Sequence, residues 1–173
     1  MKHYLTLFSI VEGLEAKNTF EFGTGISTKV IIDALRITGG SHISCDTRNI
    51  NKTGLDENYL KNNKDIWTYL QTDSQNIEFN DFNYYFDFVL HDGSHIPEIV
   101  RDDLLKILPH IKCYGIILVH DTGQSDLRNA VVEAVNSFKY AHFVELYFGC
   151  GLAVIEVHDR TKPIINPIWK KNE

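Results

Sequence analysis

Residues 18–35 read Asn-Thr-Phe-Glu-Phe-Gly-Thr-Gly-Ile-Ser-Thr-Lys-Val-Ile-Ile-Asp-Ala-Leu and pass directly from a strand pattern into a helix pattern. The apolar run that ends at Phe22 predicts a strand buried on both faces. Gly23 and Gly25 allow the backbone to turn sharply and to approach a ligand, and the N-terminus of the following helix offers free N–H groups. The stretch therefore predicts a strand, a turn and a helix that can hold a carboxylate or a phosphate. A tight turn capped by Ser27 or Thr28 is the alternative.

The rest of the chain repeats this alternation. Strands are predicted at residues 18–22, 42–46, 66–71, 86–91 and 115–120. Amphipathic patterns predict helices over residues 4–14, from residue 26 to the glycines at 39 and 40, from residue 96 to the proline at 109, and over residues 125–138, where Ser125 can act as the cap. Pro97 suits the first turn of its helix, because its missing N–H costs nothing there.

The last two predicted strands, residues 142–148 and 152–157, are joined only by Gly149-Cys150-Gly151. This connection is too short for a helical crossover and predicts an antiparallel hairpin. The expected fold class is α/β, with a three-layer, Rossmann-like, doubly wound sheet of about seven strands, mostly parallel and closed by a C-terminal antiparallel hairpin.

Composition limits the function classes. A chain of 173 residues suits a single domain, with a core at about residues 10–157 and a surface tail at 158–173. Seventeen Lys and Arg against 23 Asp and Glu give a net charge of −6, which provides no overall positive field for nucleic acid. We find no apolar run long enough for a membrane span and no signal peptide. Three cysteines with neither disulfide-framework nor zinc-finger spacing favour a cytoplasmic location.

Polar residues follow the second and third strands. Asp46 ends the second strand, some 25 residues after the glycine turn, where nucleotide-cofactor folds place an acidic group on ribose hydroxyls. Asp73 and Ser74 follow the third strand. An acidic residue at a strand end is common, and Asp73 with Ser74 can equally cap a helix. The ligand-binding interpretation depends on their combination with the glycine turn.

The fourth and fifth strands each end in a His-Asp pair, His91-Asp92 and His120-Asp121. Because buried charge and imidazole are costly unless paired or coordinated, packing alone explains these pairs poorly. Asp92 and Asp121 should lie about 5 to 10 Å apart on neighbouring strands, which suits a divalent cation or a substrate hydroxyl. His95 can act over the same cleft as a general base.

Structural alternatives stay open for these and the other polar residues. His91 and His120 can bond neighbouring backbone, and His95 can simply begin a helix. Asp102 and Asp103 are interpreted as a solvated face that can also contact the edge of the sheet. The remaining histidines are interpreted as structural or exposed, namely His3, His42, His110, His142 and His158.

In this order and spacing, the motifs at 21–28, 46, 73–74, 92–95 and 115–121 resemble those of class I S-adenosylmethionine-dependent methyltransferases. The chain most resembles the small-molecule O-methyltransferase group of macrocin-type and cephalosporin-hydroxylase-like proteins, over about residues 10–157. The resemblance implies that the methyl donor S-adenosylmethionine is bound by nine residues, namely Glu21, Gly23, Thr24, Gly25, Ser27, Asp46, Asp73, Ser74 and His91.

The resemblance also implies catalytic roles for His95, Asp92 and Asp121, and a Mg²⁺ or Mn²⁺ site at Asp92, His120 and Asp121. His120 stands where metal-using relatives carry Glu, so the site would suit a softer metal, have fewer ligands or hold none. The expected reaction is O-methylation of a hydroxyl on a small molecule or sugar by a protein that can form a homodimer.

Two other functions compete with this one. The first is an accessory module that binds the cofactor without catalysis, because the acceptor pocket must come from the N-terminal helix, a loop, the tail or a second subunit. The second is a nicotinamide-dependent oxidoreductase, which the final hairpin and Ser27, in place of a third glycine, oppose.

Overall fold

Residues 3–158 are described by the computed structural model, and they form a seven-stranded sheet with helices on both faces. The strands are β1 (Asn18–Phe22), β2 (Ser41–Asp46), β3 (Trp67–Gln71), β4 (Phe86–His91), β5 (Ile111–His120), β6 (Ala141–Leu146) and β7 (Leu152–Val157). The α-helices are α1 (Tyr4–Gly13), α2 (Ile26–Thr38), α3 (Glu57–Asn62), α4 (Pro97–Ile107) and α5 (Ser125–Ser137).

The sheet has the strand order β3-β2-β1-β4-β5-β7-β6. The first five strands pair in parallel, and β7 pairs antiparallel with both β5 and β6. The predicted fold class, with its parallel sheet and terminal hairpin, is confirmed. The strand order reverses between β1 and β4, so the carboxyl ends of these two strands flank the crevice where ligands bind in such folds.

The apolar residues divide between the two faces of the sheet, as strands buried on both sides require. On one face Val89 and Ile117 pack with α4 and α5, and on the other Phe88 and Leu118 pack with α1 and α2. Neighbouring residues of one strand thus belong to opposite halves of the core. The helix stripes seen in the sequence are therefore the surfaces that cover the sheet.

Four local expectations differ from the structure. The strand predicted over residues 142–148 is β6, which ends at Leu146, so that five residues rather than three connect it to β7. Strand β5 begins at Ile111 rather than residue 115, with an irregular register where it first meets β4. The short helix α3 has a weak apolar pattern and was not predicted. Ser125 does not cap α5, because it is the first helical residue and Gln124 occupies the cap position without a side-chain bond.

Residues 159–173 of the predicted tail lie outside the described residues, so the division into a core and a surface tail stays a prediction. Within residues 3–158, the helices are too short or too polar to span a bilayer.

Asp87, near the start of β4, holds the beginning of the neighbouring strand β1 in place. Its carboxylate accepts bonds from the backbone N–H groups of Lys17 and Asn18, both at 2.9 Å, and from Lys112 Nζ at 2.8 Å. Burial raises the pKa of this carboxyl, but these bonds outweigh burial and hold the pKa below its usual range. The charged form is therefore part of the folded state.

We expect Asp87→Asn to lower the free energy of unfolding at pH 7 by about 1–3 kcal/mol, because the N–H groups of Lys17 and Asn18 and the ammonium group of Lys112 lose a buried, charged acceptor. Since the folded pKa lies below the unfolded value of about 3.9, this stabilisation is present above that pH and is lost as the pH falls through the folded pKa. Urea unfolding between pH 3 and 7 should therefore show the difference between variant and parent shrinking with acid. The exposed Asp65→Asn is the matched control; equal losses in both variants would contradict the role of Asp87.

Candidate active site

A cavity of about 490 Å³ opens at the carboxyl ends of the parallel strands. It collects polar residues that are far apart in the sequence, because each parallel strand ends at this edge. Six of the predicted site residues line it, namely Gly23, Asp46, Asp73, Ser74, Asp92 and His95. A smaller adjoining pocket of about 220 Å³ is lined by Thr24, Gly25 and Ser27, with Asp92 common to both.

Glu21 lies behind the glycine turn and lines neither cavity. Its carboxylate is fully buried and accepts bonds from the hydroxyls of Ser27 and Thr28, each at 2.5 Å, while His42 Nε2 lies 3.2 Å away. Thr28 also accepts a bond from the N–H of Gly25. The side chain therefore ties the strand end to the first turn of α2. The interpretation of His42 as structural fits this pairing, although the sequence did not identify Glu21 as its partner.

The turn after β1 touches the turn after β4 through backbone atoms. Gly23 has φ +91°, and a Cβ there would lie 2.5 Å from the carbonyl oxygen of Asp92. A Cβ on Gly93 would lie 3.1 Å from the nitrogen of Gly23. Position 23 therefore needs glycine, whereas a side chain at position 93 would require the neighbouring backbone to shift by a few tenths of an ångström. Gly25 differs, because its φ of −176° is extended and a Cβ would meet nothing closer than 3.7 Å.

Asp46 is held at the mouth of the cavity by a residue that the sequence analysis missed. Arg48 forms an ion pair with it at 2.6 Å, and the backbone N–H of Thr24 donates to the same carboxylate oxygen at 3.1 Å. Burial raises the pKa of Asp46, but the bonds from Arg48 outweigh this and lower it. The sequence did contain a signal for this ion pair, because Arg48 has the opposite charge and follows Asp46 by two positions.

His91 and Asp103 form a buried pair beneath the cavity. His91 Nε2 lies 3.1 Å from Asp103 Oδ2, and Gln75 donates to the other oxygen at 2.7 Å. The interpretation of Asp103 as part of a solvated face is wrong, since it is 1% exposed and lines the cavity. The sequence signal for the burial of Asp103 was its position between Val100 and Leu104, on the apolar stripe of α4. His91 bonds this side chain rather than backbone and lies outside the cavity lining.

The interpretation of Asp73 as a cap is confirmed, and its role in binding a ligand stays a prediction. Its carboxylate caps a short 3₁₀ turn by accepting from the N–H of Gln75 at 2.9 Å, and the residue also lines the cavity with Ser74.

Cys45 also lines this cavity, and burial raises the pKa of its thiol to about 12. Because a protonated thiol is a poor nucleophile, Cys45 contributes a neutral surface to the cavity.

The second His-Asp pair lies next to Asp92 and His95, the two members of this group that line the cavity. Donor atoms of Asp92, His120 and Asp121 all lie within 4.8 Å of one another. His120 Nδ1 is 3.3 Å from Asp92 and 3.1 Å from Asp121. The other oxygen of Asp121 is 2.6 Å from Nε2 of His95. The four residues that the sequence predicted as catalytic or metal-binding therefore form one cluster.

The opposite charges in this cluster stabilise the ionised forms of Asp121 and His120. Burial raises the pKa of Asp121, but the bond from His95 and the charge of His120 outweigh it and hold the pKa below its usual range. The carboxylate of Asp92 raises the pKa of His120 against the effect of burial. Asp121 has φ +61°, a left-handed conformation that Asp tolerates better than most residues. This turn directs its two oxygens to two different histidines.

The donor set of Asp92, His120 and Asp121 fits a divalent cation. Nδ1 of His120 is buried between the carboxylates of Asp121 and Asp92, at 3.1 and 3.3 Å, so three ligand atoms face one another. One imidazole and two carboxylates suit Mn²⁺ or a softer ion better than Mg²⁺, which prefers an all-oxygen set. The structure thus brings together the residues that the resemblance named for this role.

Comparisons with known proteins agree with this geometry. The family described as "Methyltransferase domain" matches residues 20–122. A proposed O-methyltransferase from Klebsiella pneumoniae superposes with a TM-score of 0.76 at 15% identity, covering 91% of this chain and 80% of that one. An O-methyltransferase from Bacillus cereus, solved with S-adenosylhomocysteine, gives 0.72 at 16% identity over 90% and 80%.

A third structure is TomG from Streptomyces achromogenes, an O-methyltransferase of tomaymycin synthesis solved with S-adenosylmethionine. It gives a TM-score of 0.70 at 14% identity over 91% of this chain and 80% of that one. No curated protein sequence matches. At these identities the structural similarities show the fold.

We expect Glu21→Ala to lower the free energy of unfolding by about 3 kcal/mol, since it leaves Ser27, Thr28 and His42 without their buried acceptor. Chemical denaturation followed by circular dichroism measures this loss. Glu12→Ala, on the exposed face of α1, is the matched control. An unchanged unfolding midpoint in Glu21→Ala would show that the carboxylate does not hold the turn.

Proposed function

Because the chain belongs to the methyltransferase-domain family, we propose that it transfers the methyl group of S-adenosylmethionine to a hydroxyl oxygen of a small molecule. One observation carries the proposal: the large cavity extends from Asp46 and Asp73 at one end to His95 and Asp92 at the other. The donor and a proton acceptor can therefore meet in one space. The Bacillus and Streptomyces structures, solved with the homocysteine product and the donor, support this use of the fold.

The strand ends divide the binding of the donor. Asp46 would accept from the ribose hydroxyls, which requires Arg48 to release part of its ion pair with that carboxylate. Asp73 and Ser74 would contact the adenine edge, and the turn at residues 23–27 would hold the methionine part. Two of the residues assigned by resemblance, Glu21 and His91, would support the donor site without lining it. Glu21 would hold the turn through Ser27, and His91 would hold Asp103 in the cavity wall.

His95 is proposed as the general base. Its Nε2 bonds the ionised Asp121, so the neutral ring carries its proton on Nε2 and its lone pair on Nδ1. When bound, the sulfonium donor supplies an electrophilic methyl group. Nδ1 of His95 takes the hydroxyl proton as the acceptor oxygen forms its bond to carbon, and the electron pair of the broken S–C bond stays on sulfur. Asp121 holds the ring in position and stabilises its charged form.

A divalent cation is a further part of the proposal. Asp92, His120 and Asp121 would hold it, and its charge would favour the deprotonated acceptor hydroxyl. Without a cation, a proton on His120 offsets the two carboxylates, in line with its raised pKa. In both cases Asp92 and Asp121 face the place where the hydroxyl must lie.

We expect the purified protein to bind S-adenosylhomocysteine with micromolar affinity, and Asp46→Asn to weaken this binding by about 10- to 100-fold because it removes a charged acceptor of the ribose hydroxyls. Isothermal titration calorimetry gives both values. Repeating it with EDTA and then with Mg²⁺ or Mn²⁺ tests the cation.

Asp65→Asn, at the opposite end of the sheet, controls for a nonspecific charge effect. Undetectable binding under all of these conditions would overturn the proposal, and tight binding of a nicotinamide cofactor instead would favour the oxidoreductase.

We expect His95→Ala to reduce turnover by about 10²- to 10⁴-fold, the usual contribution of a general base, while the affinity for S-adenosylhomocysteine stays unchanged. Methyl-labelled donor and a panel of phenols, sugars and aliphatic alcohols allow product formation to be followed by mass spectrometry. His95→Gln, which keeps a polar side chain of similar reach, should lose activity equally. Full turnover in either variant would refute the assignment, and cofactor binding without any product in the parent would favour the accessory module.

A further inference from the structure

A third cavity, of about 330 Å³, adjoins the proposed donor site at Asp92 and Ser27. Its apolar walls are leucines from three elements: Leu7 of α1, Leu90 of β4 and Leu152 of β7. Asp92 also lines the two cavities described above, so it is common to all three. A molecule in this cavity would therefore contact the catalytic cluster at Asp92.

The polar side chains that line this third cavity include His3, Ser27, Asp92 and His120. The ring centres of the two histidines are 5.0 Å apart. The ring of Phe148, in the loop between β6 and β7, lies 4.9 Å from that of His3. The cavity thus combines leucine walls with polar groups, two of which, Asp92 and His120, belong to the catalytic cluster.

His3 provides an independent indication that a ligand belongs here. It is 5% exposed, it lines the cavity, and neither of its ring nitrogens has a hydrogen-bond partner among residues 3–158. A buried polar group without a partner costs free energy, and native proteins leave few of them. A bound hydroxyl compound would give this imidazole the partner that residues 3–158 do not supply.

We propose that this cavity is the acceptor site and that it binds a hydroxylated compound with a compact apolar ring, of the phenol class, rather than a sugar. The inference rests on the proposed function. Leucine walls favour a carbon ring, whereas the many hydroxyls of a sugar would be buried against them without partners. His3 would bond a hydroxyl of the acceptor and orient the reacting oxygen toward Asp92 and His95. This assigns His3, interpreted from sequence as structural or exposed, to substrate recognition.

The chain contains its own reporters for a test. Cys150 is exposed at the rim of this cavity, and the equally exposed Cys113 lies on β5 outside its lining. Alkylation by iodoacetamide can be timed at each thiol by peptide mass spectrometry, in protein saturated with S-adenosylhomocysteine. The probes are catechol and methyl glucoside, and calorimetry first establishes that the homocysteine product binds.

We expect catechol to slow the alkylation of Cys150 in a saturable manner, to leave Cys113 unaffected, and methyl glucoside to protect neither. His3→Phe, which keeps a ring but removes both nitrogens, should require about tenfold more catechol for the same protection, as expected for the loss of one hydrogen bond. Its affinity for S-adenosylhomocysteine should match that of the parent and serves as the folding control.

The outcomes separate this inference from the proposed function. Failure to bind S-adenosylhomocysteine would remove both. If that product binds but catechol protects neither thiol or both equally, or if the sugar protects Cys150, the acceptor assignment is wrong and the methyltransferase proposal stands. The parent protein alone decides these cases, so the test holds even if His3→Phe does not fold.

Discussion

The buried carboxylate of Glu21 determines the shape of the site. It joins the end of β1 to the first turn of α2 through Ser27 and Thr28, and it lies against His42 of the neighbouring strand. Because all of these groups are buried, the arrangement tolerates little displacement. The turn at residues 23–25 is consequently fixed before any ligand arrives. A preorganised turn of this kind binds without the cost of ordering a loop.

The parallel register of the strands positions the other functional residues next to this turn. Strands β1, β4 and β5 end side by side, and the contact between Gly23 and Asp92 leaves no room for side chains between the first two turns. Asp92 is thereby placed at the junction of the cavities. The left-handed turn at Asp121 completes the cluster from the adjacent strand. The proposed chemistry depends on these backbone positions as much as on the acidity of the groups.

Much of the fold could be predicted from the sequence because its signals are local. The apolar runs of buried strands, the period of the helix stripes and the Gly149-Cys150-Gly151 connection each act within a few residues. Their boundaries were less certain where the signal was weak, as at the start of β5 and in α3. The residues at the ends of the parallel strands were predictable as a group, since topology alone sends them to one edge.

The strand–turn–helix unit, the fold class and the set of polar strand ends could be predicted because each depends on residue type at short range. Which of these groups face a cavity and which face each other depends instead on how the elements pack. Glu21 turns inward to its own helix, Asp103 is drawn under the sheet by the packing of α4, and His3 reaches the cluster from the far end of the chain. Such pairings depend on contacts between residues 7 to 117 positions apart, and no local pattern of side chains encodes them.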